Sequence, residues 1–446
     1  MKNILIVLFL LISTVSFSQK SQANIKSEIN IGTSLTTFFK VEQTGSQYLI
    51  TTPKNADVRL VGWFKARLSR LLGKTPKKGI LATINCVQKE DSLIGNMNIF
   101  MFGKMKFKGV YKNDLLNGII ENDTVIVGTI KGIQSQERNI DFEYLYPKII
   151  DITENNIYSK SVLQTKEWKI FQKKLKKTLN TVQDDIELYY GFSFLPKVPF
   201  SHYRLLIKEK NEVNNAIIGK IQPTVIYEKK NKNTTYLKIK NFETSTKELA
   251  NIFPKILKEN PKNLIIDLRD NGGGGIEAAF EFGKYIMENT TEIGYFVTNK
   301  LQYKNFDKKL FKSLPIAEPQ TTDEFVKSLK QGKGSKLIFK KTNKPVYLGN
   351  LYILTNGNTA STCEPIVYIL KESKRATIVG ENTAGAMLSS TLFDISGKYK
   401  LLLPIADFYT YDGVRLEGVG VKPNIETTSE NALDKTLELI KTKDYK

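Results

Sequence analysis

Short apolar runs separated by polar turns dominate residues 30 to about 150. "QYLITT", "ILATINCV", "GNMNIFMF", "KMKFKGVY", "TVIVGTI" and "DFEYLY" are rich in β-branched and aromatic residues, with turns such as "KND" and "END" between them. This pattern predicts a small antiparallel sheet or barrel. From about 155 to 190 the spacing becomes helical. In "SVLQTKEWKIFQKKLKKTLNTVQDDIELYY", Val162, Trp168, Phe171, Leu175 and Leu179 share a face and basic residues fill the other. Pro196 and Pro199 end that helix, and "GFSFLPKVPFSHYRLLIK" reads as extended chain. From about 235, strands such as "TYLKIKNF", "NLIIDL", "NLYILT" and "ATIVG" alternate with helices such as "STKELANIFPKILKENP" and "STCEPIVYILKES". Alternation of this kind implies a layered α/β core with mostly parallel strands. Residues 300 to 345 read as a lysine-rich surface insertion with a short helix at "TTDEFVKSLK". The expected division is a signal peptide at 1–18, a β-rich module at 19–150, a helical and extended segment at 151–234, and the α/β core at 235–446.

The first residues add a location. Lys2 precedes an apolar stretch from Ile4 to Ile12, and the small Ser16 and Ser18 follow. Together they form a signal peptide cut before Gln19, so the expected protein is exported, periplasmic or secreted. The stretch is too short to stay as a membrane anchor, and no later segment is long and apolar enough to be one. The net charge of +21 comes from 66 Lys+Arg against 45 Asp+Glu, spread along the whole chain. With no arginine cluster or nucleic-acid motif, this is expected to be a solvated basic surface suited to anionic envelope material, without a nucleic-acid partner. Cys86 and Cys363 are the only cysteines and His202 the only histidine. The usual zinc ligand set is therefore lacking, and no metal or cofactor is expected. Export leaves a Cys86–Cys363 disulfide open.

In parallel α/β sheets, sites form at the carboxyl ends of strands. Three features fall there or nearby. Ser361, in "NGNTASTCEPIVYIL", follows a strand and starts a helix. Ser361 with Glu364 has the spacing of a capping box, so the serine is either a helix cap or a nucleophile at a helix mouth. At such a mouth the Thr362 N–H is placed to meet an oxyanion. "IIDLRDNGGGG" puts glycines directly after a buried strand, as a tight turn or as a second set of backbone donors, with Asp267 and Arg269 bracing the loop. His202 is the one imidazole available as a general base. Glu381 and Glu417 both follow strands, and either is placed to orient it.

These pieces together resemble the tail-specific (C-terminal processing) peptidase family. "YLKIKNF", "NLIIDLRDNGGGG", "LYILTNGNTASTCEPIVYILKES", "ATIVGENTAGA" and "LEGVGVKPNIE" occur in that family's order over roughly residues 155 to 430. The resemblance implies a crotonase-like spiral core, with Ser361 as nucleophile and oxyanion donors from Thr362 and the Gly272–Gly273 pair. Ala386 stands where the better-known branch has its catalytic lysine, and no PDZ domain is evident between His202 and Tyr236. The pattern is instead similar to the tricorn-like branch, which uses histidine, and Ser201, His202 and Glu417 match its positions. The implied function is a serine endopeptidase acting on polypeptides. The alternative is a catalytically silent ligand- or peptide-binding protein on the same fold.

Overall fold

The computed structural model describes residues 21–74, 76–100, 102–123, 125–208, 223–303, 305–317 and 321–444. The expected signal peptide lies outside the described residues. The chain divides into two compact units. One holds the chain up to Asp141 together with Asn180–Phe194 and the segment that starts at Ile207. The other holds Phe142–Leu179, Leu195–Leu206 and Lys220–Lys446.

The first unit is built on β1 (Ser21–Asn30), β2 (Ser34–Thr44), β3 (Gln47–Thr51), β4 (Ala82–Lys89), β5 (Ser92–Ile99), β6 (Gly103–Lys112), β7 (Leu115–Asn122) and β8 (Val125–Gln134). Each pairs antiparallel with the next, and β8 returns to β1, closing a barrel. The interior is filled by alternate side chains such as Ile25, Ile29, Ile84, Met97 and Phe107, as the two-residue strand period requires. The helix Asp185–Ser193 adds Ile186 and Tyr190 to this core. Its cap is Asp184, whose side chain accepts from the Glu187 N–H at 2.8 Å. The barrel matches the expected sheet, but "DFEYLY" is no strand. Phe142, Leu145 and Ile149 are all buried and carry the chain into the helix Leu145–Asn156. That is helical spacing, which outweighs the β propensity of the aromatic residues.

The second unit holds β9 (Arg204–Ile207), β10 (Val225–Lys229), β11 (Thr234–Ile239), β12 (Asn263–Asp267), β13 (Thr291–Thr298), β14 (Ile316–Ala317), β15 (Gly334–Phe339), β16 (Asn350–Thr355), β17 (Ala376–Gly380), β18 (Ser389–Asp394), β19 (Tyr399–Thr410) and β20 (Ile425–Glu426). One sheet has the order β10-β11-β12-β16-β17-β20 and is parallel from β11 to β20. The other, β14-β15-β13-β19-β18, is antiparallel except at its β14–β15 edge. The parallel expectation therefore holds for one sheet of two. The lysine-rich insertion is more than surface loop and helix, because it supplies β14 and β15 to the second sheet. In β12 all five residues are buried. Leu264 and Ile266 face the helices Thr246–Glu259, Ile276–Ile286 and Cys363–Glu372, while Ile265 faces the last helix, Ala432–Asp444. A strand covered on both faces reads as an unbroken apolar run. The helical stretch after residue 155 is broken into Lys166–Leu179 and Asp185–Ser193, and the five residues expected to share a face are all buried. Cys86 and Cys363 are free and buried, so the disulfide left open is not formed.

Candidate active site

The loops that follow β12, β16 and β17 meet at the carboxyl ends of the parallel sheet. After β12, Asp267 is fully buried and takes Tyr236 Oη at 2.6 Å, with Arg269 Nε at 2.9 Å and Nη2 at 2.6 Å on its two oxygens. This bidentate pair fixes the strand end, the bracing role expected for both residues. Asn271 then organises the glycine turn. Its Oδ1 accepts from the Gly273 N–H at 2.9 Å, and its Nδ2 donates to the Ile239 carbonyl at 2.9 Å. Its own carbonyl accepts from the Ala360 N–H at 3.0 Å, so the loop bearing Ser361 hangs from the glycine turn.

Of the Gly272–Gly273 pair expected to give an oxyanion donor, the Gly273 N–H is engaged by Asn271 in this structure. What Gly273 contributes is a missing side chain. Its φ is +95°, and a Cβ there would lie 2.7 Å from Ser361 Cβ and 3.0 Å from the Thr362 nitrogen. Gly273→Ala is expected to displace Ser361 and lower kcat/KM by about 100-fold or more. Steady-state kinetics checks this, and an unchanged rate would contradict the close approach. Among the described residues the N–H groups of Gly272, Gly274 and Thr362 have no hydrogen-bond acceptor. Gly272 is exposed, whereas Gly274 and Thr362 line the cavity described below.

Ser361 adopts φ +55°, a left-handed conformation that non-glycine residues seldom hold. The capping box forms only in part. The Ser361 N–H donates to Glu364 Oε2 at 3.1 Å, while the Glu364 N–H goes to the Ser361 carbonyl rather than to its hydroxyl. The helix begins two residues later, at Cys363. The Ser361 hydroxyl makes no hydrogen bond among the described residues, so the cap does not consume it.

Glu364 does more than cap. It is fully buried, and its carboxylate also accepts from Thr383 Oγ1 and the Gly385 N–H at 2.7 Å each and from the Ala386 N–H at 2.9 Å. It thereby ties the Ser361 backbone to the turn after β17. Burial pushes its carboxyl above the ordinary range, against these four donors, which pull it down.

His202 sits at φ +58°. This turn is the bend that lets the neighbouring side chains of Ser201 and His202 reach one site. The Ser201 hydroxyl lies 2.7 Å from His202 Nδ1. Glu417 Oε1 accepts from the Ser201 N–H at 3.1 Å, and Oε2 accepts from the N–H groups of Met387 at 2.7 Å and Leu388 at 3.2 Å. Glu417 thus acts on the imidazole's segment through Ser201. Glu381 is engaged elsewhere, accepting from the Ser429 N–H at 2.8 Å. Burial lowers the His202 pKa below 6.5, Glu417 opposes that shift, and Arg204 adds to it.

His202 and Ser361 line one cavity of about 320 Å³ together with Gly274 and Thr362, and its remaining wall is largely apolar, including Phe280 and Phe339. Asn271, Gly274 and the wider role of Glu364 were missed in the sequence. An Asn two residues before a Gly signals a side chain bonding to its own backbone two positions on.

Residues 233–427 match Peptidase family S41. That match shows the expected resemblance for the segment carrying Ser361 and Glu417. The carboxy-terminal processing protease CtpA of Bacillus subtilis (strain 168) is 27% identical over 230 residues, which is 49% of this chain and 42% of that protein. The chloroplastic C-terminal processing peptidase of Tetradesmus obliquus is 26% identical over 196 residues, 44% of this chain and 35% of that one. The chain therefore spans well under half the length of these relatives. A solved photosystem II D1 C-terminal processing protease has a TM-score of 0.42 at 15% identity, covering 65% of this chain and 94% of that one. S41 peptidases are serine-type hydrolases, and the matched segment holds Ser361, the glycine turn after β12 and the buried Glu364.

Proposed function

We propose that the chain is an exported serine endopeptidase of the S41 family that hydrolyses polypeptides with Ser361 as nucleophile and His202 as base. The observation that carries this is the shared cavity: two side chains held in left-handed backbone conformations open into one space beside unengaged amides. Such strain persists where the surroundings over-determine it, and it concentrates at functional sites. In this reading His202 donates its Nδ1–H to Ser201 Oγ, leaving Nε2 to take the Ser361 proton and return it to the leaving amine. The N–H groups of Thr362 and Gly274 receive the oxyanion. The apolar wall takes a substrate side chain next to the scissile bond. Ser201 and Glu417 fix the imidazole's orientation, as in the tricorn-like branch. The same proposal includes the crotonase-like spiral, a core at 235–446 completed by the Ser–His pair of the 151–234 segment, and export directed by residues 1–18.

The test is hydrolysis of an unfolded polypeptide followed across pH. Because only neutral His202 accepts the proton, kcat/KM is expected to rise with pH and reach half its plateau below pH 6.5, where burial holds this imidazole. Arg204→Gln removes a positive neighbour, raises the His202 pKa and moves that limb to higher pH. A polypeptide left intact at every pH would favour the silent binding protein. A limb unmoved by Arg204→Gln would remove His202 as the base.

A further inference from the structure

The first unit carries a second feature, far from catalysis in its chemistry. The helix Trp63–Leu71 is held to its unit by one edge: Ala66 is buried, and Arg70 Nε donates to the fully buried Asp57 at 2.7 Å. The opposite arc faces solvent. Trp63 is 61% exposed, Phe64 73%, Leu68 48%, Leu71 77% and Leu72 59%. At 100° per residue these five fall within a half-turn of the helix surface. Five large apolar side chains crowded on one short exposed arc form a patch that a soluble surface seldom leaves uncovered.

The charge around the patch says what would cover it. Residues 58–89 contain eight Lys and Arg and no Asp or Glu. Lys65 flanks the apolar arc, Arg67 falls within it with its guanidinium 5.2 Å over the Trp63 ring, and Lys74 and Lys78 are exposed in the residues that follow the helix. Trp, Phe and Leu on one arc with Lys and Arg close by is the composition of a helix that lies in a bilayer interface. Basic side chains near such a surface each add attraction to anionic headgroups. Among the described residues no helix is long and apolar enough to cross a membrane, so the contact is with a surface. We propose that this helix docks the chain on an anionic phospholipid bilayer, with the apolar arc in the interface and the lysines and arginines among the headgroups.

The chain has its own reporter. It holds two tryptophans, and Trp168 is 1% exposed and stacked on Phe171. A blue shift on adding vesicles therefore comes from Trp63. The experiment titrates the full chain with vesicles of phosphatidylcholine alone and of phosphatidylcholine with phosphatidylglycerol, including bromine-labelled lipid as a quencher. The expected result is a blue shift and quenching on the anionic vesicles, weakened by salt. The combined variant Phe64→Ser, Leu68→Ser, Leu71→Ser keeps the net charge and is expected to partition about tenfold more weakly or worse. Its melting temperature reports that the barrel is intact, because the three side chains are exposed. Three outcomes overturn the proposal: Trp63 stays unquenched, the triple variant binds as tightly as the parent through bulk charge alone, or the blue shift follows protein concentration without lipid, which marks a second copy as the occupant.

Discussion

Ser361→Ala is expected to lower kcat/KM on an unfolded polypeptide by about 10⁴–10⁶-fold, the loss typical of removing a serine nucleophile. Stability is expected to change by under about 0.5 kcal/mol. The two effects separate because the structural duties of Ser361 are all backbone. Its N–H binds Glu364 Oε2 and its carbonyl receives the Glu364 N–H, and both bonds survive the substitution. The hydroxyl, which bonds nothing among the described residues, is the only group removed. Kinetics and a thermal melt on the same preparation check the pair of expectations. Parent-level hydrolysis by the variant would end the peptidase account, and a large fall in melting temperature would show that the hydroxyl serves the fold.

Glu364→Ala is expected to have the opposite profile, with a stability loss of about 3–5 kcal/mol, measured by urea unfolding. Removal of the carboxylate strands the Thr383 hydroxyl and the Gly385 N–H in buried positions and the N–H groups of Ser361 and Ala386 in half-buried ones. Each buried donor without an acceptor costs about 1–3 kcal/mol. Relief from burying a charge offsets part of the total. Glu364→Gln is expected to fall between, because the amide keeps one acceptor oxygen but turns an NH₂ toward N–H donors. A loss below about 1 kcal/mol for the alanine variant would mean that the carboxylate does not hold the two loops together.

The core strands were legible because burial on both faces leaves an apolar signature, as in "NLIID" and "NLYILT". Three barrel strands were passed over. β1, "SQANIKSEIN", places Ser27 in the inward row between Ile25 and Ile29, and so few apolar residues give little signal. Ser361, Asp267 and Arg269 could be placed by strand-end position alone. Ser201, His202 and Glu417 needed the resemblance, because the Glu417–Ser201 hydrogen bond spans 216 positions and no local spacing encodes it. No local spacing says which acceptor takes the Gly273 N–H; in the fold it is Asn271. The spacing of Glu364 signals a local cap, while three of its four donors, Thr383, Gly385 and Ala386, come from a loop that tertiary packing brings to it. The segment "WFKARLSRLL" was readable as a basic amphipathic helix, but that it faces solvent depends on the fold.

The central claim is that His202 activates Ser361 in the shared cavity. A fluorophosphonate probe, with the modified residue mapped by mass spectrometry in the parent and in His202→Ala, tests it most directly. The account predicts that the folded parent is labelled at Ser361, that unfolding abolishes labelling, and that His202→Ala slows it by about 10³-fold or more. Labelling at another residue, or labelling of Ser361 at the same rate without His202, would contradict it.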